Sequence, residues 1–317
     1  MKSTTSRILL RPFGWPIALL SLVIVAGCGG GGGGGAAPAS PPPPPPPPPP
    51  TAIKIDQNDL RYRIPDPADT LIYNVTVVAR EHQGTTVTSE NTVSTTMEIQ
   101  YYNPPSNISS FLREYVDWLE GYGYKALKTI ITLGSGEQIS SATLSFNTDQ
   151  VLIAYDDDRI HHELRDPDGD GVRRYVLPFL PPLEAGQSSS FEYREFPDGY
   201  LWDSDHYKGI REFNVGNYSE IDVPLDEIEA YEISYSDENW LSWTGHYFGP
   251  DFITDYSYVE GKMWVHPKIG MVKFNYIVDE DEGYYEDGWT EPYDGYWTSV
   301  EVVGELSSVN FTTPTPQ

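Results

Sequence analysis

The chain is 317 residues long and carries 47 Asp and Glu against 20 Lys and Arg, a formal net charge of -27. A surface that acidic repels nucleic acid and anionic lipid headgroups, and it favours divalent cations and cationic surfaces. With one cysteine in the whole chain, intrachain disulfides and thiolate metal sites are excluded, and the folded part must be held by apolar packing.

Residues 1–27 have the three parts of an export signal: Lys2, Arg7 and Arg11 at the start, an apolar run from Trp15 to Val25, and small residues at its end. The run is too short to span a bilayer well. Val25-Ala26-Gly27-Cys28 resembles a bacterial lipobox, in which the cysteine receives a diacylglyceryl group before the signal is cleaved. The resemblance implies lipid attachment at Cys28, and acyl chains contribute about 0.8 kcal/mol per buried methylene. Gly29 stands where an Asp usually retains such proteins at the inner membrane, so the resemblance implies the outer membrane, on its periplasmic or surface face. Residues 1–27 hold three basic and no acidic residues, so their removal takes the charge from -27 to -30. Residues 28–51 form a tether: Gly29 to Gly35 is flexible coil and Pro41 to Pro50 a polyproline II rod of roughly 30 Å.

About 265 residues remain to fold, and they read as mainly β. In LIYNVTVVAR, Leu71 to Arg80, Leu71, Tyr73, Val75 and Val77 share one face of a period-two strand. Further strands are expected at 92–102, 128–133, 140–146, 151–155, 189–195, 229–236, 242–248, 253–259, 262–265, 271–278 and 298–306. Gly134-Ser135-Gly136 and Glu260-Gly261 read as turns between them. Short connections imply antiparallel pairing. One amphipathic helix is expected at about 107–120, where Ile108, Phe111, Leu112, Tyr115, Trp118 and Leu119 recur at helical spacing and Gly121 stops it. The fold expected is a curved antiparallel sheet, a half-barrel or two sandwich-like halves meeting near 175–185. The parts are then 52–180 with the helix, 181–312, and a disordered tail at 313–317.

LPFLPPLEAGQSSSFEY (Leu177 to Tyr193), ISYS (Ile233 to Ser236) and GKMWVHPKIGMVKFNY (Gly261 to Tyr276) together resemble a pattern in uncharacterised all-β bacterial lipoproteins. Its mark is a hairpin of the form Trp-x-x-Pro-x-x-Gly-x-Val-Lys. Pro267 fixes φ, Gly270 permits a left-handed turn, and Trp264 and Val272 can pack across the hairpin. The resemblance implies a fold and no chemistry. Some members of this broad group are compared with the half-open barrels of lipoprotein carriers, an analogy of fold only.

Candidate sites are few. In RDPDGDGVRRY, residues 165–175, Asp166, Asp168 and Asp170 alternate with glycines at 169 and 171, as in the first half of a calcium loop. Leu177 stands where an EF-hand needs its bidentate Glu, and an ordinary solvated Asp-Gly turn accounts for the same residues. His161 and His162 point to opposite faces of a strand and make a poor zinc pair. His206, His246 and His266 read as packed or surface histidines. Asp279 to Trp297 interleaves eight carboxylates with six large aromatics. Tyr284, Tyr285, Trp289, Tyr293 and Trp297 are therefore candidate ligand-binding rings for a glycan or an envelope protein, against a solvated acidic loop whose rings lean on the sheet. No Gly-x-Ser-x-Gly, HExxH or phosphate loop occurs, and no catalytic residue is assigned. The sequence reads as a membrane-anchored extracytoplasmic binding or envelope-structural module needing no cofactor, with Ca²⁺ a candidate stabiliser. The alternatives are a lipid or lipopeptide carrier and a carbohydrate-active enzyme with paired carboxylates.

Overall fold

The computed structural model describes residues 53–105, 110–155, 160–164, 177–197, 205–243, 252–281, 285–286 and 296–311. The alternating run that opens the folded part forms β1, Thr70–Gln83, with Leu71, Tyr73, Val75 and Val77 all buried. It turns back as β2, Thr86–Tyr102. The helix α1, Ser110–Gly121, follows, starting three residues later than its apolar spacing suggests. Then come β3, Lys125–Leu133; β4, Gln138–Phe146; β5, Val151–Tyr155; β6, Ile160–Leu164; and β7, Leu177–Leu180. The second half holds β8, Ser188–Pro197; β9, Asp205–Asp222; β10, Glu227–Trp243; β11, Phe252–His266; β12, Gly270–Asp281; β13, Tyr285–Glu286; and β14, Tyr296–Asn310.

All of these strands belong to one antiparallel sheet, in the order β6-β8-β9-β10-β11-β12-β14-β1-β2-β3-β4-β5-β7, with β13 paired to β11. Its end strands, β6 and β7, are not paired with each other among the described residues, so the sheet is open. It is also strongly curled. Arg211 on β9 donates from Nη1 to the Pro178 carbonyl of β7, 3.0 Å away, although the two strands lie near opposite ends of the sheet. Residues 181–187 carry the chain from one end to the other, and Gly186 and Gln187 then pair with Val215 on β9. A single apolar cluster runs through the inner face, from Leu144 and Ile153 in the first half to Phe213, Ile233, Phe274 and Val302 in the second. The helix packs on β3; Leu119, as its spacing predicts, and Val116 are buried.

Two expectations need correction. Glu260-Gly261 is not a turn: β11 runs through it, and Gly261 sits opposite Tyr235 and Tyr276. A Cβ there would lie 2.1 Å from the Asn275 carbonyl oxygen and 2.9 Å from Cδ1 of Tyr276, so the glycine serves close strand approach and not chain reversal. Trp264 does not stand across from Val272. A bulge between Trp264 and Val265 sets it opposite Lys273, whose ammonium lies 5.8 Å from the indole centroid. Gly270 takes φ 98°, as the hairpin requires.

The strand directions define two ends. At one, residues 53–69 run across the sheet as a strap. Ile53 bridges to Ile228 at the start of β10, Arg63 N–H donates to the Pro267 carbonyl, and Tyr62 N–H donates to Thr148 beyond β4. Tyr62 Oη also donates to the Pro181 carbonyl at 2.7 Å. Lys54 pairs with Glu220 and, at 3.2 Å, with Glu229, fixing the strap to β9 and β10. The last residue of β14 pairs with the first of β1 at this same end. At the opposite end β8, β10 and β12 finish, and β9, β11 and β14 begin.

Candidate functional site

Most of the predicted site residues, Cys28, Asp166, Asp168, Asp170, Tyr284, Trp289 and Tyr293, lie outside the described residues. Tyr285 is described in its backbone only, where β13 pairs it with Ile253. Trp297 is fully placed. Its ring stacks on His82 with centroids 3.6 Å apart and 9° between planes, and its Nε1 donates to the Gly84 carbonyl at 2.8 Å. His82 in turn lies 2.8 Å from Ser299 Oγ. Burial, then the charge of Arg80, lowers the His82 pKa and keeps the ring neutral beneath the indole. Trp297 therefore leans on the β1–β2 hairpin. Among the described residues no group of three or more His, Cys, Asp or Glu is arranged to hold a metal ion.

Among the described residues, a void of about 30 Å³ lies on the inner face between Tyr62, Tyr73, Tyr101 and Phe146, little more than one water. Burial raises the hydroxyl pKa of Tyr62 and Tyr73, so both remain neutral donors, to the carbonyls of Pro181 and Met271. Higher up, Arg211 and Asp237 face each other across β9 and β10, 2% and 0% exposed. Two guanidinium N–H groups and the Tyr235 hydroxyl converge on Asp237 Oδ2 at 2.9, 2.5 and 3.0 Å. His266, also buried, accepts the Lys268 N–H at Nδ1 and reaches toward the Lys54 carbonyl of the strap with Nε2. It is a packed histidine, and its pKa is lowered chiefly by burial.

The outer face of β9 to β12 carries the clearer cavity, an open depression of about 450 Å³. It arises because short side chains sit among tall ones. Ile233, Met263, Phe274 and Tyr276 point inward and are buried, so period two turns Ser234, Ser236, Lys262, Trp264 and Asn275 outward. Across the three strands Ser234, Lys262 and Asn275 form one outward row and Ser236, Glu260 and Ile277 the next, with Trp264 beside them in the same lining. Lys262 is engaged by Glu232 at 2.6 Å. Beyond the rim toward the far end, the Tyr258 hydroxyl donates to Glu260 Oε2 at 3.1 Å. Burial and the Glu260 charge push the Tyr258 pKa up to about 12. Burial, then the same Glu260 charge, pushes Asp279 up to about 6.

No family model matches the chain, and no curated protein sequence does either. Two solved structures resemble it. One, from Bacteroides fragilis, is described as an exported protein with a YmcC-like fold; it is 10% identical, covers 79% of this chain and 99% of its own, and gives a TM-score of 0.33. The other, described as a lipoprotein from Parabacteroides distasonis, is 9% identical with the same coverages and a TM-score of 0.34. Strand order and curl define the class directly: an open, mainly antiparallel β-sheet protein with one short helix among the described residues.

Proposed function

We propose that the chain is a lipid-anchored bacterial envelope protein, acylated at Cys28, whose sheet is an extracytoplasmic binding module facing away from the membrane. Gly29 after the cysteine favours the outer membrane. The observation that carries this reading is the polarity of the fold. The tether enters at Ile53, and the strap 53–69 fastens that end to β10 and to the Pro267 turn. The segments 198–204, 244–251 and 282–295, with their tyrosines, tryptophans and carboxylates, each connect strand ends at the opposite pole. Tyr284, Tyr285, Trp289 and Tyr293 belong to the last of these, and a glycan or an envelope protein is the partner their chemistry suits.

Lipid labelling and fractionation test the anchor. The full chain should incorporate labelled fatty acid and sediment with outer membranes, and Cys28→Ser should do neither. A Cys28→Ser protein that stays in the membrane fraction with unchanged gel mobility, beside a parent that takes up no label, overturns the proposal.

A further inference from the structure

The depression on the outer face of β10 to β12 has a lining that selects for one kind of ligand. Ser234 and Ser236 line it on one side of Lys262 and Glu260, and Asn275 on the other. Among the described residues none of these three side chains makes a hydrogen bond within the protein, so their donors and acceptors are turned outward. Each hydroxyl or amide can both donate and accept. Trp264 supplies a partly buried ring to one wall, approached by the Lys273 ammonium at 5.8 Å from its centroid, and Ile277 an aliphatic patch.

Elimination narrows the occupant. An anion finds only one basic side chain in the lining, Lys262, already engaged by Glu232, within a chain of formal charge -27. A hard metal ion wants about six to eight oxygen ligands, and the lining offers one carboxylate, Glu260. An acyl chain needs an enclosed apolar sleeve, whereas this lining carries hydroxyl, amide and charged groups and opens to solvent. What remains is a neutral molecule that is flat and apolar on one face and edged with hydroxyls. A pyranose ring has this form: its C–H face can lie on the indole while its hydroxyls exchange hydrogen bonds with serine and asparagine. The volume, about 450 Å³, falls within the range of roughly 300–1,000 Å³ usual for small-molecule sites.

We propose that this depression is a saccharide-binding subsite, in which a neutral sugar unit of a glycan stacks on Trp264 and hydrogen-bonds Ser234, Ser236 and Asn275. The inference rests on the reading of the domain as a binding module and gives that module a ligand class. It does not depend on the lipid anchor.

Calorimetric titration of the full chain in detergent micelles tests it, with cellotriose, maltotriose and N,N′,N″-triacetylchitotriose as neutral probes and hexalysine as the cationic peptide control. At least one oligosaccharide should bind with millimolar or tighter affinity, and hexalysine should not displace it. Trp264→Ala should weaken that binding roughly tenfold or more, and Trp264→Phe should retain most of it. Because Trp264 also touches the core, Ser234→Tyr is the decisive variant: it fills the depression from an outward position, should abolish binding, and should leave the melting temperature unchanged. Cys28→Ser should bind as the parent does, which separates failure of the anchor from failure of the site. No binding of any of the three oligosaccharides at tens of millimolar, binding unchanged in Ser234→Tyr, or binding of hexalysine alone would each overturn the proposal.

Discussion

Removing one partner of the Arg211–Asp237 pair should destabilise the protein far more than removing both. The two side chains are 2% and 0% exposed and joined by two N–H···O contacts of 2.9 and 2.5 Å to one carboxylate oxygen. Asp237→Ala takes from the guanidinium the carboxylate that two of its N–H groups serve and leaves the charge inside the curl. Breaking a buried pair in this way costs about 3–5 kcal/mol. For a domain of this size that is roughly 6–20 °C in melting temperature, at about 2–4 °C per kcal/mol. Arg211→Met strands the carboxylate and also releases the Pro178 carbonyl of β7, so the contact that draws the far end of the sheet toward β9 is lost. The double variant Arg211→Met, Asp237→Leu buries no charge. It should lie within about 1 kcal/mol of the parent or be more stable, because the desolvation cost disappears with the attraction. Urea unfolding of all four proteins, followed by tryptophan emission and analysed at constant slope, gives the cycle. Single variants that each cost under about 1 kcal/mol and combine additively would show that water reaches the pair, and would refute its placement in the interior.

Two further outcomes follow from the geometry and one from the sequence. Asp279 has its folded pKa raised to about 6 from 3.8, so the folded state binds the extra proton and stability falls as pH rises between about 4 and 6. Asp279→Asn should therefore raise stability at pH 7.5, by about 2 kcal/mol once the roughly 3 kcal/mol of such a shift is discounted for its partial exposure, and by little at pH 4; an equal gain at both would refute the burial account. Gly304→Ala places a Cβ 2.1 Å from Cζ of Phe274 and should cost about 1–3 kcal/mol. Gly121→Ala, with nothing within 4 Å at the end of α1, should cost nothing in the same urea assay. Calcium decides the Asp166–Asp170 loop: a melting temperature raised by millimolar Ca²⁺ and returned by chelator, absent in Asp168→Asn, assigns the loop to the ion, since a ligand of the native state must stabilise it. An unchanged melting temperature assigns it to an ordinary turn.

Where alternation was clean, strands were legible, as in β1, with its four buried residues at 71, 73, 75 and 77. The eighteen-residue β9 was not. Its inward positions are Arg211, Phe213 and Val215, and a charge at the first of them breaks the apolar period. The partner that makes Arg211 tolerable there is Asp237, 26 residues on in another strand, and no local window shows it. Gly261 misled for the same reason: a glycine beside a turn and a glycine beneath a ring look alike until Tyr276 is seen to lie against it. The expected meeting point near 175–185 marks a real event of a different kind, the passage of the chain from the β7 end of the sheet to β8. The depression had no signature of its own. Ser234, Ser236 and Asn275 are ordinary residues that register brings together, and the stretches ISYS and GKMWVHPKIGMVKFNY drew notice only for their turn and packing residues.

Register also sets how far this depression stands from the bilayer under the proposed anchoring. Ser234 lies seven residues along β10 from Glu227, where the strap meets the sheet, and seven residues of antiparallel strand span about 24 Å. A polyproline II rod at Pro41 to Pro50 would add roughly 30 Å below it. The depression would thus ride some 50 Å above the headgroups, beyond reach of the surface potential, which decays within a Debye length of about 10 Å. An acidic domain of charge -30 gains from that distance, because an anionic leaflet would otherwise repel it. On this account the proline tract separates two parts that electrostatics would drive apart, and it leaves the outer face of β10 to β12 open to a partner approaching from the side.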